Sequence, residues 1–101
     1  MARRLVFVGD INDKKNYEGN YNIIIATEVL EHLEDDRSIF NNFKKESKFI
    51  FSLPTFNCKG HFRWFETPLD IIMYYINCLS IQQLEVVHDV PYWFVGWAIV
   101  K

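Results

Sequence analysis

Three side chains that could bind a metal ion lie close together in the sequence. Glu28, Glu31 and His32 stand at positions i, i+3 and i+4, so on a helical turn they project from one face. Two carboxylates and an imidazole suit magnesium, manganese or iron better than a structural zinc ion. His61 follows a later predicted strand, in a loop expected at the same end of the sheet. The spacing therefore predicts a metal site with Glu28, Glu31, His32 and His61 as ligands.

The aromatic segment from His61 to Phe65 is a second candidate site. One interpretation is a loop that binds a substrate above the strand ends, where ligands bind in open α/β sheets. The other is an aromatic plug that covers the core. Under both, His61 and Arg63 are the side chains expected to be exposed, and we predict that they contact a substrate. His88 is interpreted as an ordinary strand residue.

Short apolar runs predict the strands that position these residues. They cover residues 5–8, 23–26 and 48–53, and two further strands at 81–90 and 93–100 are joined by a turn around Pro91. The run 23–26 is apolar without alternation, as in strands of parallel sheets that are buried on both faces.

Two helices are predicted between these strands. One covers about residues 36–45 and is capped by Asp35 or Asp36. The other begins at Thr67, which is followed by proline and by an acid three residues after the cap. Its buried stripe is expected to comprise Ile72, Tyr75, Ile76 and Leu79. The alternation of elements predicts an α/β fold whose sheet of about five strands is mostly parallel and ends in an antiparallel hairpin.

Composition limits the class of protein. With 101 residues, half of them hydrophobic, the chain is expected to form one domain over residues 1–101. A net charge of -2 argues against general nucleic-acid binding. The two cysteines form no disulfide framework or metal knuckle, and no apolar run reaches the roughly 18 residues that span a bilayer. We therefore expect a cytoplasmic protein that does not enter membranes.

Residues 21–36 carry a resemblance to a known family. The strand Tyr-Asn-Ile-Ile-Ile-Ala followed by Thr-Glu-Val-Leu-Glu-His and an acidic helix start closely resembles class I S-adenosylmethionine-dependent methyltransferases. The later Ser-Leu-Pro, Gly-His-Phe-Arg and closing hairpin also fit, so the match covers about residues 6–101 and is specific in its middle third. Asn22 stands where the family usually has Asp. The resemblance implies a partial Rossmann-like fold, corresponding to the C-terminal half of such an enzyme.

The resemblance also implies roles for individual residues. The cofactor would be S-adenosylmethionine, with Asp10 and Ile11 at the adenine and Thr27 and Glu28 near the sulfonium. Asp10 is otherwise interpreted as the end of a strand. The metal-binding residues resemble those of small-RNA 3'-terminal 2'-O-methyltransferases, which would imply magnesium or manganese. The same Glu-Val-Leu-Glu-His segment also occurs in metal-free relatives, where Glu31 and His32 support other residues.

The family's glycine-rich cofactor turn has no counterpart in the sequence. The four glycines are so far apart that no two lie within nine residues of each other. We therefore expect a truncated methyltransferase-like domain that is incompetent alone and needs a complementary segment. The strand 23–26 would lack its neighbour, and an exposed strand edge recruits other strands. Either the predicted strand 5–8 takes the vacant position, or a homodimer or a complementary chain covers this edge. The assembly would be an enzyme or a non-catalytic partner-binding remnant.

Overall fold

A computed structural model describes residues 21–87 and 92–101. The described strands are β1 (Ile23–Ala26), β2 (Lys48–Pro54), β3 (Leu79–Val87) and β4 (Trp93–Val100), and the one described α-helix, α1, covers Pro68–Tyr74. Two short 3₁₀ segments, Leu30–His32 and Arg37–Asn42, lie between β1 and β2. The predicted strand at residues 5–8 and the turn around Pro91 lie outside the described residues.

The described strands form one mixed sheet in the order β1-β2-β4-β3. β1 and β2 are parallel neighbours, as predicted, with Ile24 opposite Phe49. β4 is antiparallel to both β2 and β3. The predicted closing hairpin is confirmed, but the mostly parallel sheet is not, because only one of the three described strand pairings is parallel. The physical reason is that β4 lies between β2 and β3. The two strands therefore do not pair with each other, and each pairs with β4 in the antiparallel direction.

Strand register separates the sheet into two faces of different burial. On the core face, Phe49, Phe51 and Phe94 are almost completely buried. The other face, which we call the open face, includes Ile50 opposite Trp97, and both of these side chains are only half-buried. The sheet therefore has a well-packed side and a side with substantial exposed apolar surface.

The core is built largely from aromatic side chains packed edge to face. Phe40 contacts Phe49 with ring centroids 5.1 Å apart and Tyr75 at 5.9 Å, while Phe49 stacks on Phe51 at 5.7 Å. Such pairs contribute roughly 0.5–1.5 kcal/mol each beyond the area they bury. These contacts join the second 3₁₀ segment and the end of α1 to the core face of the sheet.

Helix α1 begins as its sequence predicts. The Thr67 side chain accepts a hydrogen bond from the Asp70 backbone N–H, the Asp70 carboxylate accepts one from the Thr67 N–H, and Pro68 occupies the first helical position. The predicted buried stripe is partly wrong. Tyr75 and Leu79 are buried, but the third buried position is Ile71, whereas Ile72 and Ile76 are 38% and 43% exposed. The helix ends at Tyr74, so helical spacing does not extend to the later positions.

The helix predicted over residues 36–45 is shorter and tighter than expected. It is the 3₁₀ segment Arg37–Asn42, which ends at Phe43 in extended backbone. Asp36 does not cap it through its side chain. The Asp36 carboxylate is buried and accepts hydrogen bonds from the hydroxyls of Tyr74 and Tyr75 instead. The predicted capping group is therefore engaged in a tertiary contact, and the local helix loses its start signal.

Candidate site at the carboxyl ends of the parallel strands

Two chain segments converge where β1 and β2 end. Residues 27–36 follow β1, residues 55–65 follow β2, and the carboxyl ends of parallel strands meet at one edge of a sheet. The Glu28 N–H donates to the Ser52 hydroxyl oxygen at 2.8 Å, and the Phe62 N–H donates to the Glu31 carbonyl at 2.7 Å. These bonds hold the two segments together.

Glu31, His32 and His61 form a compact side-chain cluster at this edge. One ligand atom from each of them lies within 4.8 Å of the others. The His32 Nε2 is 3.7 Å from the Glu31 Oε1, and the His32 and His61 rings meet edge to face with centroids 4.8 Å apart. The structure therefore brings together three of the four predicted metal ligands.

Glu28, the fourth predicted ligand, lies outside this cluster. The spacing argument assumed a helical turn that starts at Glu28. Instead, Glu28 has a φ of 56°, in the left-handed region, and the 3₁₀ segment begins only at Leu30. The exposed Glu28 side chain therefore does not share a helical face with Glu31 and His32.

The cluster contains buried polar atoms that have no hydrogen-bond partner. Both carboxylate oxygens of Glu31 and the Nδ1 of His61 are in this state, and Glu31 is completely buried. Burial raises the pKa of Glu31 above its usual range, and the neighbouring His32 and His61 only partly oppose this. Buried carboxylates are normally paired, so an orphaned one marks a place where a proton or a cation is expected.

A contact with the backbone orients the His32 ring. Its Nδ1 lies 2.9 Å from the carbonyl oxygen of Gly60. A carbonyl oxygen only accepts, so Nδ1 donates this hydrogen bond, and Nε2 is the ring nitrogen that faces Glu31. A backbone carbonyl that orients an imidazole in this way is typical of histidines that bind metals.

The three donors fit a divalent transition metal. One carboxylate and two imidazoles occur in catalytic zinc sites and in non-haem iron sites that keep open coordination positions. With Glu28 outside the cluster, this donor set is less suited to magnesium than the predicted one, because magnesium prefers oxygen ligands. The residues thus fit a metal by the chemistry of their donors and by their orphaned atoms.

Aromatic rings form one wall of the cluster. His61 packs against Phe56 and Trp93 with ring centroids 5.5 Å and 6.4 Å apart. Trp93 was assigned only to a strand from the sequence. Its role here depends on the pairing of Pro54 with Trp93, which brings the start of β4 to the end of β2. No local sequence signal identifies that contact.

Arg63 joins several segments beneath the site. Its guanidinium donates to the carbonyl oxygens of Leu30 and Glu34, the latter at 2.8 Å, and lies 3.6 Å from the Asp36 carboxylate. Only 11% of its side chain is exposed, so the expectation that Arg63 is exposed is wrong. The guanidinium is therefore bound by other groups of this chain. The assignment of Arg63 to substrate binding stays a prediction.

Among the remaining predicted site residues, only Thr27 lies in the described part of the chain. Thr27 is exposed directly after β1. Asp10, Ile11 and His88 lie outside the described residues. Within residues 21–87 and 92–101, no helix has the length and apolar character needed to cross a membrane.

No protein-family model and no curated protein sequence matches the chain significantly. Solved structures do match. The N-methyltransferase NodS from Bradyrhizobium japonicum WM9, in complex with S-adenosyl-L-homocysteine, is 16% identical with a TM-score of 0.62. The match covers 89% of this chain and 52% of NodS. Magnesium protoporphyrin IX methyltransferase ChlM from Synechocystis PCC 6803 is similar both with bound S-adenosyl-L-homocysteine and with bound S-adenosylmethionine.

The first ChlM structure is 16% identical with a TM-score of 0.58, and the second is 18% identical with a TM-score of 0.56. Each match covers 89% of this chain, and 49% and 44% of the respective ChlM chains. The chain therefore has the class I methyltransferase fold and spans about half the length of these structures.

Proposed function

We propose that this chain forms the acceptor side of an S-adenosylmethionine-dependent methyltransferase site. The observation that carries the proposal is the convergence of Glu31, His32 and His61 at the carboxyl ends of β1 and β2. In open α/β sheets ligands bind at this edge. The fold is shared with methyltransferase structures, which supports methyl transfer as the reaction at this edge.

The chain's residues suit the proton chemistry of methyl transfer. When bound, S-adenosylmethionine supplies an electrophilic methyl group. An acceptor hydroxyl or amine must lose a proton as it is methylated, and a nearby carboxylate or imidazole can take it. Glu31 has a raised pKa and both oxygens free of hydrogen bonds, and His61 has an unpartnered Nδ1. Positioning of the acceptor between these groups and the aromatic wall would supply most of the rate.

Cofactor binding is proposed to need a second polypeptide segment. The turn that grips a nucleotide cofactor needs closely spaced glycines, because the backbone must approach the ligand. The glycines of this chain are too widely spaced for such a turn. We infer that a complementary glycine-rich segment supplies the ribose and amino-acid contacts.

Equilibrium dialysis with radiolabelled S-adenosylmethionine tests this proposal. The chain alone is expected to bind no measurable cofactor, whereas a mixture with a separately produced glycine-rich half of a methyltransferase is expected to bind it. His61→Ala should leave cofactor binding in the mixture intact while abolishing methyl transfer. Tight binding by the chain alone would contradict the need for a second segment. No binding in any mixture would contradict the function itself.

A second candidate is metal-assisted methylation of a ribose or a similar diol. It is favoured by the orphaned oxygens of Glu31, the orphaned Nδ1 of His61 and the Nε2 of His32, which lies 3.7 Å from the Glu31 Oε1. A bound divalent ion would polarise a hydroxyl of the acceptor. Manganese, magnesium and zinc binding by calorimetry are the tests. Glu31→Gln should remove binding and Glu28→Gln should retain it, whereas equal affinities of Glu31→Gln and the parent would exclude the site.

A third candidate is a non-catalytic module that binds a partner. Ile23 and Ile25 on the β1 strand are 52% and 68% exposed, and among the described strands β1 lies at the sheet edge. Exposed apolar edges recruit further strands. Concentration-dependent association without any cofactor or metal binding would favour this function over the other two.

A further inference from the structure

The open face of the sheet is apolar in its centre and charged at two places. Strand register puts Ile50 beside Trp97, and Lys48 lies opposite Ile99, two residues farther along β4. Glu85 lies opposite Val95, two residues before Trp97 on β4. Lys48 and Glu85 therefore flank Trp97 symmetrically, one on each side of the central strand.

A shallow cavity of about 250 Å³ marks the centre of this face. Its lining includes the apolar side chains of Ile50, Val95 and Trp97, together with Lys48 and Glu85. Val95 is 37% exposed although it lies in the middle of β4. A hollow of this size with an apolar lining is suited to receiving a large side chain of another molecule.

The two charges are held in place but are not paired with each other. The Lys48 Nζ lies 4.5 Å above the Trp97 ring, and the Gln83 side-chain amide donates to the Glu85 carboxylate at 2.7 Å. With strands about 4.8 Å apart and about 3.4 Å per residue, Lys48 and Glu85 are roughly 17 Å apart along the sheet. Each charge is thus oriented and available to an external partner.

This arrangement is complementary to itself. A two-fold axis that lies in the plane of the face and passes over Trp97 would exchange the positions of Lys48 and Glu85. Two copies placed face to face about that axis would then form two Lys48–Glu85 pairs around a shared apolar centre. Self-complementary patches of this kind are characteristic of isologous dimers.

We propose that two copies of this chain associate through their open faces, with Trp97 at the centre and reciprocal Lys48–Glu85 pairs at the periphery. Sheets packed in this way fill the space between them with the inner-face side chains. The two Trp97 rings would meet at the axis, flanked by Ile50 and Val95 of both copies. Aromatic side chains at the centre of an interface usually carry most of the binding energy. The inference is independent of the proposed cofactor and metal chemistry.

Sedimentation velocity of the full chain over a range of concentrations tests the proposal. The parent protein is expected to dimerise, and the dimer should weaken as salt is added. Lys48→Glu and Glu85→Lys each place like charges opposite one another twice in the dimer. Each substitution should therefore raise the dissociation constant by about 100-fold or more. The double variant, which restores opposite charges in exchanged positions, should return to within about tenfold of the parent.

Lys45→Glu is the matched control, because it makes the same charge change at an exposed residue outside the strands. It should leave the dissociation constant unchanged. Lys48 and Glu85 are exposed, so their variants are expected to fold, which circular dichroism verifies. A parent protein that stays monomeric at all concentrations would overturn the proposal. So would a dimer that both single variants leave intact, since another surface would then form the contact.

Discussion

The buried carboxylate of Asp36 connects the fold to the candidate site, and its removal gives a quantitative prediction. Asp36 is 1% exposed, accepts hydrogen bonds from the Tyr74 and Tyr75 hydroxyls, and lies 3.6 Å from the Arg63 guanidinium. Hydrogen bonds to a charged group contribute about 1.5–3 kcal/mol. Tyr75→Phe, which removes one such bond from a completely buried position, should lower the free energy of unfolding by about 2 kcal/mol.

Loss of the carboxylate itself should cost more. Asp36→Asn leaves the largely buried Arg63 without its counter-ion, and breaking a buried ion pair costs about 3–5 kcal/mol. A domain of this size has roughly 5–15 kcal/mol of total stability, so this change removes a large part of it. Tyr74→Phe is the matched comparison: the same kind of bond is lost at a half-buried position, and the cost should be smaller than for Tyr75.

Urea unfolding followed by tryptophan fluorescence measures these differences. In a thermal scan, a loss of about 2 kcal/mol corresponds to a melting temperature about 8–16 °C lower. The Asp36→Asn/Tyr75→Phe double variant should lose less than the sum of the single variants, because both act on one hydrogen bond. Strictly additive losses, or a Tyr75→Phe variant as stable as the parent, would refute the assignment of Asp36 as a buried acceptor.

Three further predictions concern the site, the sheet and the helix. Because burial raises the pKa of Glu31, the folded state binds a proton that the unfolded state releases, and stability falls as pH rises above the usual carboxyl range. In the presence of a metal chelator, Glu31→Gln should abolish this loss of stability with rising pH. Urea unfolding across a pH series measures the loss, and Glu34→Gln is the control at an exposed carboxylate. Gly96→Ala should lower the free energy of unfolding by about 3 kcal/mol or more, because the added Cβ would lie 2.4 Å from the Gln83 carbonyl oxygen. Urea unfolding measures this loss, and an unchanged midpoint would contradict it. Thr67→Ala, which removes the cap of α1, should cost about 1 kcal/mol by the same assay, and Thr67→Ser should restore most of it.

The sequence predicted the elements whose signals are local. The capping box of α1 depends on residues within one turn, and the parallel neighbours β1 and β2 follow from apolar runs separated by a crossover. The position of β4 between β2 and β3 is a choice among long-range pairings, and no short segment specifies it. The shortened helix after Asp36 also depends on a long-range contact. The Asp36 carboxylate is engaged by Tyr74 and Tyr75, which are almost forty residues away in the chain.

The candidate site was predictable to the extent that topology determines it. Because the segments after parallel strands meet at one edge, Glu31 and His61 were expected close together, and they are. The exclusion of Glu28 depends on its left-handed backbone, and the wall formed by Trp93 depends on β4 pairing. Neither the types of these residues nor their spacing in the sequence predicts the backbone conformation of Glu28 or the pairing of β4.

The central place of β4 also determines how the sheet comes apart. Among the described strands, β3 contacts the sheet only through β4, whereas β1 and β2 pair directly with each other. Any fluctuation that detaches β4 from β2 therefore releases β3 as well, so the hairpin leaves as one cooperative unit. Its amide protons should share a single opening free energy in hydrogen exchange, separate from that of the β1–β2 pair that carries Glu31 and His61. The candidate site thus lies on the half of the sheet that does not depend on the hairpin for strand pairing.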